Sequence, residues 1–138
     1  MRPARVSFEY TVIRVVPHIE RGEYLNAGVI LFCKARRYLG AKIDVQLDRL
    51  PAFCPGADRE MIRAQLEMIR TVCDSGTGAG VFSTWTRSER FRWLAAPSST
   101  VVQTSPVHCG LCVDPEAELD QLYDLLVALD GQTGRDDG

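Results

Sequence analysis

YTVIRVVPHIERGEYLNAGVILFC, residues Tyr10 to Cys33, decides how this chain is read. β-branched and aromatic side chains dominate Phe8 to Val16, the composition of a strand, and Pro17 ends it. Leu25 to Cys33 then runs apolar at both parities in its middle, the signature of a strand covered on two sides. The short connection from Pro17 to Glu23 makes the pair antiparallel. Asn26 and Gly28 interrupt the apolar run and call for an explanation.

Working outward, Leu39, Ala41, Ile43, Val45 and Leu47 alternate with Gly40, Lys42, Asp44, Gln46 and Asp48, a period of two that predicts a third, half-buried strand. Register follows from pattern, because a slip of one residue turns every side chain over. Setting Val29 opposite Ile43 and Val12 opposite Gly28 collects Thr11, Ile13, Val15, Leu25, Ala27, Val29, Leu31 and Cys33 on one core face. The other face then divides. Phe8, Tyr10, Ile30 and Phe32 gather at one end, and Arg14, Asn26, Asp44 and Gln46 at the other. Around Gly28 these four make a polar pocket floor, where a glycine lets a ligand or another backbone come close.

Further along, Asp58 caps a helix reaching Cys73, with Ile62, Leu66, Ile69 and Cys73 as its apolar stripe and Met61, Met68 and Val72 widening it. Gly76, Gly78 and Gly80 read as a linker. Thr86 and Glu89 form a capping box that opens a short helix ending at Ala95, before Pro97. Thr100 to Thr104 is a strand. Asp114 and Pro115 start a last helix with Leu119, Leu122, Leu126 and Leu129 on one side. The sum is an α+β fold: an antiparallel β-meander of three to five strands with two main helices and one short helix. Residues 1–130 form a single domain and 131–138 a disordered tail.

The 138 residues suffice for a core without metal or disulfide support. Five cysteines, with Cys33, Cys54 and Cys73 scattered singly, suit reduced thiols in a reducing compartment. Glu9 and Arg14 interrupt any signal-like segment. Trp93 to Val113 is uncharged but too polar to span a membrane. A cytoplasmic location, with no membrane contact, is expected. The net charge of −2 conceals 15 basic and 10 acidic residues up to Val113 against one and eight beyond it. An acidic end of this kind either screens a basic surface, contacts a basic partner, or is a solvated helix face.

Three patterns suggest chemistry. His108, Cys109 and Cys112 (HCGLC) have thiol spacing, but four zinc ligands are wanting and the surrounding residues place the motif in a loop. No metal site and no cofactor are expected. Trp85, Arg87, Arg90, Phe91, Arg92 and Trp93 interleave cations and aromatics as single-stranded nucleic-acid surfaces do. The acidic pI of 5.7 argues against nucleic acid and for a core-facing helix with solvated arginines. Acid–base candidates are His18, Glu20, Glu23, Asp44, Asp48 and His108, without a nucleophile elbow.

The stretches YTVIRVVPHIERGEYLNAGVILFC, RFRWLAAPSSTVVQTSPVHCGL and DPEAELDQL together resemble a bacterial domain of unknown function, the DUF family numbered three thousand and thirty-seven. The likeness reaches to about Leu129. It implies a neighbourhood of HipA-like kinases and hence such a kinase as partner, in a toxin–antitoxin or stress setting. It also implies a shared pattern of Arg14, Pro17, Glu20, Arg21, Gly22, Glu23, Asn26 and Gly28, followed by Arg90, Phe91, Trp93, Leu94, Pro97, Ser99, Thr100, Pro106, His108 and Gly110.

The expectation is therefore a non-catalytic interaction module. Its ligand- or partner-binding surface joins Arg14, Arg21, Glu23 and Asn26 to Arg90, Trp93, Ser99, Thr100 and His108. The competing expectation is a hydrolase or nuclease using Glu20, Glu23 and His108, which requires those three to converge. A third reading is structural: Arg21 and Glu23 satisfy loop groups and Asn26 bridges strands.

Overall fold

The computed structural model describes residues 3–75, 80–98 and 100–128. Gly76, Gly78, Ser99, Leu129 and the tail 131–138 lie outside the described residues. Strand β1 (Val6–Val15) pairs antiparallel with β2 (Leu25–Cys33), and β2 with β3 (Tyr38–Ile43). These three form the expected meander. Strands β4 (Val102–Thr104) and β5 (His108–Cys112) return to the other side of β1, where β4 takes its C-terminal half and β5 its N-terminal half. The sheet order is β3-β2-β1-β4, with β5 beside β4 on β1. Ser105 stitches the kink between β4 and β5. Its amide donates to the Val12 carbonyl at 2.9 Å, its hydroxyl accepts from the Val12 amide at 2.9 Å, and its carbonyl accepts from the buried Thr11 hydroxyl at 2.6 Å.

HCGLC is thus a strand rather than the expected loop. In an extended strand, positions three apart face opposite ways, so Cys112 is buried while Cys109 is exposed.

Both faces of the sheet are covered, which explains why β2 is apolar at both parities from Val29 to Cys33. Helix α2 (Arg59–Asp74) and the short α3 (Arg87–Ala95) pack Ile62, Leu66, Val72 and Phe91 against Ile13, Ile30, Phe32 and Ile43. Phe32 and Phe91 stack at 5.4 Å. Helix α4 (Pro115–Tyr123) and the π-helical turn Asp124–Ala128 lay Leu119 and Val127 on Phe8, Val29, Leu31 and Cys33. A one-turn helix, α1 (Leu50–Phe53), completes the first layer through the fully buried Leu50.

The caps are as the residue types dictate. The Asp58 side chain accepts from the Met61 amide at 3.1 Å, Thr86 and Glu89 close a reciprocal capping box, and Asp114 accepts from Glu116 ahead of Pro115.

Register departs from expectation in an instructive way. Arg14 does face Asn26 and Val15 does face Leu25, but a β-bulge follows, after which Ile13 faces Gly28 and Val12 faces Val29. Ala27 and Gly28 occupy successive positions against one residue of β1, so the expected alignment holds below the bulge and slips by one above it. On the other hairpin Gly28, not Val29, faces Ile43. Ile30 and Phe32 therefore join the α2 layer, and Val29, Leu31 and Cys33 go to the α4 layer. Strand β3 also stops at Ile43, short of the alternating run. Asp44 turns its carboxylate back onto the amides of Gln46 and Leu47 at 3.1 and 3.2 Å, and Leu47 takes a positive φ of 56°.

Candidate functional site

Gly28 is a packing glycine. A Cβ there would stand 2.9 Å from the Lys42 carbonyl oxygen, 3.0 Å from Ile13 Cδ1 and 3.2 Å from Ile43 Cα. The close approach is that of another backbone. The pocket floor expected around it survives only in part. Arg14 and Asn26 stand side by side on the α4 face, whereas the Asp44 carboxylate is engaged in its own turn and Gln46 lies beyond the end of β3.

The bulge is what sends Asn26 to this face, and Arg14 also faces Gln103 of β4. The result is a polar row, Gln103, Arg14 and Asn26, at the edge of the apolar α4 layer. The Arg14 guanidinium lies over the Tyr24 ring, 4.1 Å from its centre. Asn26 donates from Nδ2 to the Leu126 carbonyl at 3.0 Å, and its main-chain carbonyl accepts from Arg49 Nη2 at 3.0 Å. Tyr24 and Arg49 were not legible as members, because neither shares a strand or a period with Arg14.

Arg21 and Glu23 form an exposed two-pronged ion pair, Nε to Oε1 at 2.9 Å and Nη2 to Oε2 at 3.1 Å. The hydrogen bond from Arg21 and then its charge hold the Glu23 carboxyl below its usual range. His108 sits elsewhere. It faces Tyr10 on β1 and packs on that ring at 5.2 Å, whereas Leu25, two residues after Glu23, faces Val15. Five residues of strand, roughly 16 Å, separate the two positions. The three groups required for acid–base chemistry do not meet at one cleft.

Arg90 is spent inside the protein. It is 6% exposed and its Nη1 donates to the Val72 and Cys73 carbonyls at 2.8 and 2.5 Å, while Nε reaches the Trp85 carbonyl at 3.4 Å. These are the terminal carbonyls of α2, which lack partners within the helix. Arg92, by contrast, is exposed and grips Glu9 through two hydrogen bonds of 3.0 and 2.6 Å.

Trp93 and Thr100 belong to a different feature, a groove of about 650 Å³ between α2 and the outer edge of β4. Its walls are Met61, Gln65, Met68, Trp93 and Pro97, and its floor Ile69, Leu94 and Val102. Met61, Met68 and Trp93 are 39, 51 and 49% exposed, large apolar groups facing solvent around one depression. The methionines were readable as part of an over-wide α2 stripe, one side too many for a helix that covers a single sheet face. Among the described residues, no three His, Cys, Asp or Glu side chains come together as a metal-binding group. The same residues include no helix long and apolar enough to cross a membrane.

The sequence-expected set thus falls into separate groups: Arg14 with Asn26 on the α4 face, Trp93 with Thr100 in the groove beside α2, Arg21 with Glu23 in the first loop, and Arg90 and His108 each alone. Ser99 lies outside the described residues.

A five-stranded antiparallel sheet with helices on both faces defines an α+β domain that bears a groove and a polar row. The family model described as "Protein of unknown function (DUF3037)" matches residues 10–127, and the chain belongs to that family. No curated protein and no solved structure matches it.

Proposed function

We propose that the chain is a non-catalytic interaction module that receives an extended segment of a partner protein in the groove beside β4. A HipA-like kinase is the partner implied by the family resemblance, and residence in the same cytoplasm is part of this reading. One observation carries it: the groove runs along the edge of β4, which among the described residues has no further strand beside it. The Val16 amide donates to the Val101 carbonyl, and the Ser105 amide to Val12, so Val101 and Ser105 turn toward β1. By alternation Val102 and Thr104 turn their backbone groups outward, toward the groove. The Val102 carbonyl accepts from the Thr100 hydroxyl at 2.8 Å, leaving its amide and both Thr104 groups for an added strand.

Main-chain hydrogen bonds supply affinity in such an arrangement, and pockets for alternate side chains supply selectivity. Methionine adapts to whatever it meets, and an exposed tryptophan is a strong anchor once desolvated. Isothermal titration with a purified HipA-like kinase tests the reading. Saturable binding that weakens at least tenfold in Trp93→Ala and in Met68→Asp, with unchanged thermal unfolding, is expected. Absence of binding by the unaltered chain overturns it.

A further inference from the structure

We propose that Cys54 and His18 form a thiol-modification site, in which Cys54 exchanges with the disulfide of a low-molecular-weight thiol to give a mixed disulfide and His18 Nε2 receives the Cys54 proton. The site lies where the loop after β1 meets the end of α1, and it is independent of the groove.

Cys54 Sγ stands 3.7 Å from His18 Nε2, within hydrogen-bond reach for sulfur. With the ring proton on Nδ1, Nε2 accepts from the thiol. Both residues are held by their main chains. The Cys54 amide donates to the Leu50 carbonyl at 2.7 Å, its carbonyl accepts from the Ala57 amide at 3.1 Å, and the His18 carbonyl accepts from the Arg21 amide at 3.0 Å. The pair is nonetheless open to a reagent, since His18 is exposed and Cys54 half-buried.

The neighbouring charges support proton transfer. Arg21 lies in charge range of Cys54 but is matched by Glu23, which leaves His18 as the group able to take the proton. Glu23 in turn lies in charge range of His18 and favours the imidazolium that results. The thiolate is the nucleophile in disulfide exchange, so a thiol held against an imidazole reacts ahead of an isolated one.

In the exchange the Cys54 proton passes to Nε2 and the thiolate attacks one sulfur of the small disulfide. A bond forms from Sγ to that sulfur as the S–S bond of the reagent breaks, and the other sulfur leaves with the electron pair and takes the proton from the imidazolium. Cys54 is oxidised and the leaving sulfur reduced. No second thiol stands ready to undo the product. Cys33, Cys73 and Cys112 are buried, and Cys109 faces Glu9, six residues of strand or roughly 20 Å from Val15 at the end of β1. The mixed disulfide therefore persists until excess thiol removes it, which makes Cys54 a site of reversible modification rather than of turnover.

Incubating the full-length protein with glutathione disulfide at neutral pH, quenching with acid and mapping the peptides by mass spectrometry gives the rates at Cys54 and Cys109 in the same molecule. Exposure alone would put Cys109 first; the proposal puts Cys54 first. His18→Gln should slow Cys54 about threefold or more and leave Cys109 unchanged. A merely structural role for His18 gives the opposite result, because loosening the loop exposes Cys54 and speeds its reaction. A rate at Cys54 no greater than that at Cys109, or one that His18→Gln leaves unchanged or raises, overturns the proposal.

Discussion

Arg90 shows how a cation can be misread when only its neighbours in the chain are considered. Beside Trp85, Phe91 and Trp93 it resembles part of a binding surface, but its charge is used on carbonyls that α2 cannot satisfy itself. Replacing it with alanine leaves those buried acceptors unpaired and should cost about 2–4 kcal/mol, measured as a lowered urea midpoint. Gly28→Ala should cost about 1–3 kcal/mol on the same assay, since its Cβ meets the Lys42 and Ile43 backbone as well as the end of the Ile13 side chain. Both residues stood out in the sequence as exceptions. Lys42 and Ile43 for the glycine, and Val72 and Cys73 for the arginine, lie fourteen or more positions away and did not.

At the scale of elements, the boundaries set by local chemistry were readable and those set by pairing were not. The α3 capping box needs only Thr86, Glu89 and the backbone between them, and Thr86→Ala should lower stability by about 1 kcal/mol, again by urea titration. β3 stops where Asp44 satisfies two amides locally, although alternation continues to Asp48. The bulge at Ala27 and Gly28 has no sequence period at all, yet it puts the Arg14 and Asn26 pair on the face of Val29, Leu31 and Cys33 instead of that of Ile30 and Phe32. β5 is a strand because β1 offers an unpaired edge to HCGLC. Thiol labelling checks that assignment: in the native protein exposed Cys109 should react ahead of Cys33, Cys73 and Cys112, which are buried and wait for unfolding.

For the molecule as a whole, the second helical layer matters as much as the first. Leu119→Ala would open a cavity between α4 and the sheet and should cost about 2–4 kcal/mol by the same measurement. Alkali should act on both layers. Burial, with the nearby Asp74 charge adding to it, pushes the Cys73 thiol from 9.0 up to about 12, and burial followed by the Glu116 charge pushes the Tyr38 hydroxyl from 10.0 up to about 12. Between those values the unfolded chain has lost protons that the folded one keeps, so ionisation favours unfolding. Stability should be constant below pH 9 with respect to these groups and fall as pH rises toward 12, a trend that thermal melts across that range would reveal.

Residue types and spacings alone dictated the helix caps, the apolar stripes, the antiparallel meander and the doubly covered character of β2, because each depends on contacts within a few residues or on a simple period. Which polar groups share a surface depended on one extra residue in β2 and on the return of β4 and β5 to the edge of β1. Pairing across long separations is a choice among nearly equal registers, and packing of both sheet faces at once selects it. That selection separates Arg90 and His108 from the polar row, puts the Arg14 and Asn26 pair on the α4 face, and opens the groove along β4.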